Sequence, residues 1–167
     1  MKECCSSGPN PSKIKKVEPG KVAEILESFE HRVDSLIMIL QDIQEEYRYL
    51  PEEALRIVAD DLDLPLSQLY EVATFYRSFS LKPRGMHEIK VCLGTACHLR
   101  NGPLILESFE RELSVERGST TSDLAFTLET VNCVGACALA PVVIVDSEYY
   151  GNSRPSNVKG ILKKYKK

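Results

Sequence analysis

The stretch Cys92-Leu-Gly94-Thr-Ala-Cys97 and its counterpart Cys133-Val-Gly135-Ala-Cys137 decide how this 167-residue chain is read. The spacing is C-x4-C, then thirty-five residues, then C-x3-C. Two close pairs brought together by a fold are what a two-iron cluster needs, because each iron takes two thiolates and two bridging sulfides. Each pair has its own glycine, which removes a side chain where backbone must approach a bulky inorganic core and frees amides to point at sulfur.

The segments around the pairs tell where they sit. His87–Leu93 alternates enough to predict a strand entering the first cysteine loop, and Phe126–Asn132 predicts a strand entering the second. Leu104–Leu113 reads as a helix with Pro103 at its first position. Val142–Val145 is a β-branched buried strand, and Tyr149–Tyr150 pairs with it across an Asp146–Glu148 turn. A last helix starts near Pro155. The order β-α-β-β-β-α predicts a parallel strand–helix–strand crossover followed by a hairpin. Parallel neighbours end on one edge of a sheet, so both cysteine pairs are expected to converge there.

Upstream the period is helical. Val22, Ile25, Leu26, Phe29, Val33, Leu36, Ile37, Leu40 and Ile43 form one apolar stripe through about Tyr47. Pro51 opens a second helix to about Asp61, burying Leu55, Val58, Ala59 and Leu62. A third starts at Pro65 and Ser67 and ends near Phe79. The expected organisation is α+β: residues 1–19 a polar, poorly ordered arm, 20–84 a small helical domain, and 85–167 the cysteine-bearing domain.

Charge narrows the partners. Net charge is −3; residues 21–80 hold thirteen acids against five bases, and residues 81–167 hold nine against twelve. A nucleic-acid binder would show a basic face. A helix-turn-helix around Asp61–Leu64 would need phosphate-binding groups, yet residues 65–76 offer Gln68 and Glu71 and no base before Arg77. The closing Lys159, Lys163, Lys164, Lys166 and Lys167 read as a solvated helix face. No apolar stretch approaches the ~18 residues of a membrane span. No signal-peptide core follows Met1, so a reducing cytoplasm is expected, where clustered cysteines more often mean metal than disulfide.

The site has rivals. A zinc shell of four cysteines is sterically allowed, although structural zinc favours C-x2-C knuckles. A thiol-redox enzyme would place C-x-x-C at a helix N-terminus. His98 after Cys97 invites a Rieske centre, which needs a second histidine near the second pair; the others are His31 and His87. Arg100 and Asn101 read equally as loop-ordering groups or partner contacts. Pro141 is either a rigid strand entry or a cis peptide packed on the cysteine loops. Cys4 and Cys5, adjacent on the arm, read as free thiols.

Three phrases carry a family resemblance: Val91-Cys-Leu-Gly-Thr-Ala-Cys-His-Leu-Arg100, Cys133-Val-Gly-Ala-Cys-Ala-Leu-Ala-Pro-Val-Val143 and Leu69-Tyr-Glu-Val-Ala-Thr-Phe-Tyr76, with Leu50-Pro-Glu-Glu-Ala-Leu55 beside them. Over about residues 20–165 the chain resembles the thioredoxin-like [2Fe–2S] ferredoxin subunit of NADH-dehydrogenase-type complexes. The resemblance implies a thioredoxin-like fold after the helical domain. It also implies one [2Fe–2S] cluster on Cys92, Cys97, Cys133 and Cys137, the first two on one iron and the last two on the other. It further implies a partner flavoprotein subunit that binds FMN and NAD(H), in complex I or in hydrogenase, formate dehydrogenase or electron-bifurcating assemblies. The chain has no G-x-G-x-x-G and no Walker loop, so it is expected to oxidise no NADH alone. The remaining readings are a free-standing ferredoxin-like shuttle and a zinc-built interaction module.

Overall fold

A computed structural model describes residues 15–166. Cys4, Cys5 and most of the expected arm lie outside the described residues. The chain divides into two compact units between Arg84 and Gly85.

The first unit is helical: α1 (Pro19–Ser28), α2 (Leu36–Tyr47), α3 (Glu52–Asp61) and α4 (Leu66–Phe75). Each helix turns one apolar stripe inward, and Leu26, Ile39, Leu40, Ile43, Leu55, Val58 and Leu69 are fully or almost fully buried in one core. Residues 15–18, expected to belong to the arm, are anchored here: Lys15 pairs with Glu46, and Glu18 N–H donates to the Tyr47 hydroxyl at 3.1 Å.

Two helix boundaries differ from expectation. The stripe read as one helix through Tyr47 is two helices, interrupted at Glu30 and His31, whose φ angles are +52° and +53°. A single helix over those 26 residues would run about 39 Å and carry one end past so small a core. Folding back instead lets α1 pack against both α2 and α3. His31 Nδ1 then meets Asp61 Oδ2 at 2.7 Å, pinning the turn to the end of α3. The third helix ends at Phe75, not near Phe79, because Tyr76 swings to extended backbone. Phe79 is still buried, held by Gln44, which donates to the Ser78 carbonyl and accepts from Ser80 N–H, both at 2.7 Å.

The second unit is a five-stranded sheet with three helices. Its strands are β1 (His87–Cys92), β2 (Ser119–Thr120), β3 (Phe126–Val131), β4 (Val143–Val145) and β5 (Glu148–Tyr150), ordered β2-β3-β1-β4-β5. β1 and β3 are parallel with Cys92 opposite Val131; the other pairs are antiparallel. The parallel unit and the terminal hairpin match expectation, and β2 is an additional edge strand. Helices α5 (Thr95–Leu99), α6 (Gly102–Leu113) and α7 (Val158–Tyr165) complete the unit.

Strand alternation sorts the sheet into two faces. Ile89, Val91, Phe126, Leu128, Val143 and Val145 share a core with α6 and α7. Cys92 and Ile144 point the other way and cluster with Cys97, Ala140 and Val142. The lysines of α7 are only partly a free solvated face. Lys164 donates to Glu148 at 2.6 Å, and Lys159 pairs with Glu112 at 3.5 Å.

Candidate metal centre

Cys92 is the last residue of β1 and only 3% exposed. Its N–H donates to the Val142 carbonyl at 3.0 Å, and Leu93 N–H extends the parallel ladder to the Val131 carbonyl at 2.8 Å. The chain then turns at Gly94 into α5, which carries the equally buried Cys97. This short helix occupies what the sequence suggested was loop.

Gly94 has a further reason beside the one expected of it. A Cβ there would lie 2.4 Å from the Asn132 carbonyl oxygen. The missing side chain lets the two cysteine loops touch backbone to backbone.

The second pair lies beyond β3 on irregular backbone. Cys133 and Cys137 are both exposed. Gly135 between them has φ +76°, a left-handed conformation that glycine adopts at no steric cost. Its N–H points back at Cys133 Sγ, 3.4 Å away. Cys137 opens a single 3-10 turn, Cys137–Leu139, and the Ala140–Pro141 peptide after it is cis. The following hairpin braces this turn: Asn152 N–H donates to the Leu139 carbonyl at 2.7 Å and Ser153 N–H to that of Pro141 at 3.0 Å.

All four cysteines line one cavity of about 450 Å³, together with Gly94, Thr95, Ala96, Leu99, Asn132, Val134 and Ala136. Small alanines beside the cysteines, Ala96 and Ala136, line this space. Burial pushes the Cys97 thiol above its ordinary pKa; the hydrogen bond with Cys92 adds to this, and Cys137 contributes a smaller push. That last influence crosses from one pair to the other. No described cysteine is in a disulfide. Among the described residues no group of three or more His, Cys, Asp or Glu side chains is arranged as a metal site by itself.

The neighbours fall into place. His98 is exposed and no histidine lines the cavity, which removes the Rieske ligand set. His87 instead pairs with Asp146 at 2.7 Å. Arg100 donates from Nη1 to the Ala140 carbonyl at 3.2 Å, and Asn101 adopts φ +67° as the N-cap of α6. Both order loops. The donor set, four thiols on an apolar-walled cavity with one amide already aimed at sulfur, fits a two-iron, two-sulfide group.

Known proteins share this architecture. Residues 22–166 match the family of thioredoxin-like [2Fe-2S] ferredoxins. The NADP-reducing hydrogenase subunit HndA of Solidesulfovibrio fructosivorans is 39% identical over 145 residues, covering 87% of this chain and 85% of that protein. An NADH-quinone oxidoreductase subunit of Rickettsia prowazekii is 36% identical over 133 residues, covering 78% of this chain and 75% of that one. A solved NAD+-reducing [NiFe]-hydrogenase in the air-oxidized state superposes with a TM-score of 0.65 at 17% identity. That match takes in 78% of this chain and 22% of the other, a minor part of a longer protein, and the likeness is one of fold. With the family match running through both compact units, the chain belongs to the thioredoxin-like [2Fe-2S] ferredoxins.

Proposed function

We propose that this chain is the electron-transfer subunit of an NAD(P)H-linked oxidoreductase complex and carries one [2Fe–2S] cluster on Cys92, Cys97, Cys133 and Cys137. The observation that carries the reading is the convergence of all four cysteines on one cavity. A cluster held there supplies a one-electron carrier.

The chain's own residues bind and shield it. Cys92 and Cys97 approach from the buried end of β1 and from α5, and Cys133 and Cys137 from the open side. Ala96, Val134 and Ala136 keep the walls apolar, and the Gly135 amide stabilises negative charge on the Cys133 sulfur. The electron partner is the FMN- and NAD-binding flavoprotein subunit of the same complex. Relatives named as hydrogenase and quinone-oxidoreductase subunits support that setting. The chain has no nicotinamide or flavin fingerprint of its own. Among the described residues no helix is long and apolar enough to cross a membrane, and we place the complex in the cytoplasm or at a membrane periphery.

The test is anaerobic purification with iron and sulfide assay and EPR of the dithionite-reduced protein. Two irons, two sulfides and a spin-half signal support the assignment; zinc without iron or sulfide would overturn it. Cys133→Ala is expected to prevent stable cluster assembly, whereas Cys4→Ala with Cys5→Ala is expected to leave it intact. A stoichiometric flavoprotein on co-purification supports the subunit role, and a partnerless monomer would instead indicate a free shuttle.

A further inference from the structure

Near their first cysteines the two loops are joined by backbone alone. Leu93 N–H donates to the Val131 carbonyl at 2.8 Å, and Gly94 sits directly against Asn132. Near the second cysteines the tie is a side chain. Arg100 Nη1 donates to the Ala140 carbonyl at 3.2 Å. At either end of that bond the backbone closes onto a cysteine: Arg100 N–H donates to the Cys97 carbonyl at 3.1 Å, and Ala140 N–H to the Cys137 carbonyl at 3.2 Å. Three hydrogen bonds therefore run from Cys97 to Cys137 through one guanidinium.

The acceptor explains why the bond matters. Ala140 is 1% exposed, the residue after it is proline, and β4 begins only at Val143. Its carbonyl is thus outside the strand ladder, and a buried carbonyl requires a donor. Arg100 supplies one from the helix end that follows the other cysteine pair. The charged donor makes this bond stronger than a neutral one.

We infer that Arg100 is a positioning residue for the four-thiol site: its guanidinium holds the turn that carries Cys137 against α5, which carries Cys97. This inference rests on the cluster assignment above. It concerns the spacing between the pairs, which this guanidinium spans from the end of α5 to the Cys137 turn.

The experiment compares Arg100→Met, Arg100→Lys and Arg100→Ala in the full-length, cluster-loaded protein. Met keeps the apolar stem without a donor, and Lys keeps a charged donor on a similar stem. The readouts are the rate at which visible absorbance is lost under a chelator and the g-values of the reduced cluster. Thermal midpoints of the metal-free chains report general stability separately. Arg100→Met and Arg100→Ala are expected to lose the cluster about tenfold faster with altered g-values, in the range seen when partners that orient metal ligands are removed. Arg100→Lys is expected to stay near wild type. Should Ala fail to fold, the Met–Lys contrast still decides. Equal loss rates and g-values in wild type, Met and Lys would overturn the role of Arg100 alone. A wild-type chain without iron would overturn the cluster assignment first and this inference with it.

Discussion

The two cysteine pairs are built by different means. Cys92 and Cys97 sit at the end of a central strand and inside a helix, and both are buried. Cys133 and Cys137 sit on a loop and a single 3-10 turn, and both are exposed. The first pair inherits its position from regular hydrogen bonding. The second borrows position from its neighbours: the Gly94 contact, Arg100, and the hairpin bonds from Asn152 and Ser153. A site made this way has one rigid jaw and one braced jaw, with the braced jaw toward solvent.

The sharpest way to break this contrast is Gly94→Ala. A Cβ 2.4 Å from the Asn132 carbonyl oxygen meets rigid backbone of the facing loop, so one loop must move. Destabilisation of about 2–3 kcal/mol is expected, as for overpacked interiors, with loss of cluster assembly. Urea unfolding of the metal-free full chain measures the first effect and iron assay the second. Next in size is the pair Cys92→Ala and Cys133→Ala in the metal-free chain. Emptying the buried site at Cys92 is expected to cost about 1.5 kcal/mol, whereas Cys133→Ala stays within about 0.5 kcal/mol. Equal costs would mean that the second loop is as rigidly packed as the first. Smaller again is Gly135→Ala. Nothing lies within 4 Å of the added Cβ, so only the positive φ resists it, at about 1 kcal/mol.

The same asymmetry governed what could be read from sequence. Strands β1, β3 and β4 were legible because β-branched residues recur around the cysteines, and the parallel pairing of β1 with β3 brought both pairs to one edge. The rigid jaw was therefore largely foreseeable, apart from α5. The braces were not, because each depends on a partner distant in sequence. Gly94 acts through Asn132 and Arg100 through Ala140. β2 escaped for a similar reason: Ser119 and Thr120 carry no apolar alternation and become a strand only by pairing with β3. The break at Glu30 and His31 was hidden because the apolar spacing continues across it, as Val33 and Leu36 resume the stripe after the turn. Spacing reports which residues face a core and is silent on whether the chain reverses between them.

The smallest predicted effect concerns what stands behind the second jaw. Glu148 on β5 accepts from Lys164 and the Tyr150 hydroxyl, each at 2.6 Å, and from the Tyr165 hydroxyl at 3.0 Å. These bonds, that of Lys164 foremost, pull its pKa from the ordinary 4.5 to about 2. They latch the hairpin to α7 just ahead of Asn152 and Ser153, which hold the Cys137 turn. A carboxyl depressed by folding stabilises fully above its ordinary pKa and loses that contribution as pH falls toward its folded value. The thermal midpoint of the metal-free chain is therefore expected to exceed that of Glu148→Gln by a small, constant margin above pH 4.5. That margin closes between about pH 4.5 and 2. The carboxyl is solvent-exposed, so salt is expected to shrink the margin too. A gap that ignores pH would show that the Glu148 charge does not brace the hairpin, leaving the second jaw to Gly94, Arg100 and the Asn152 and Ser153 backbone bonds alone.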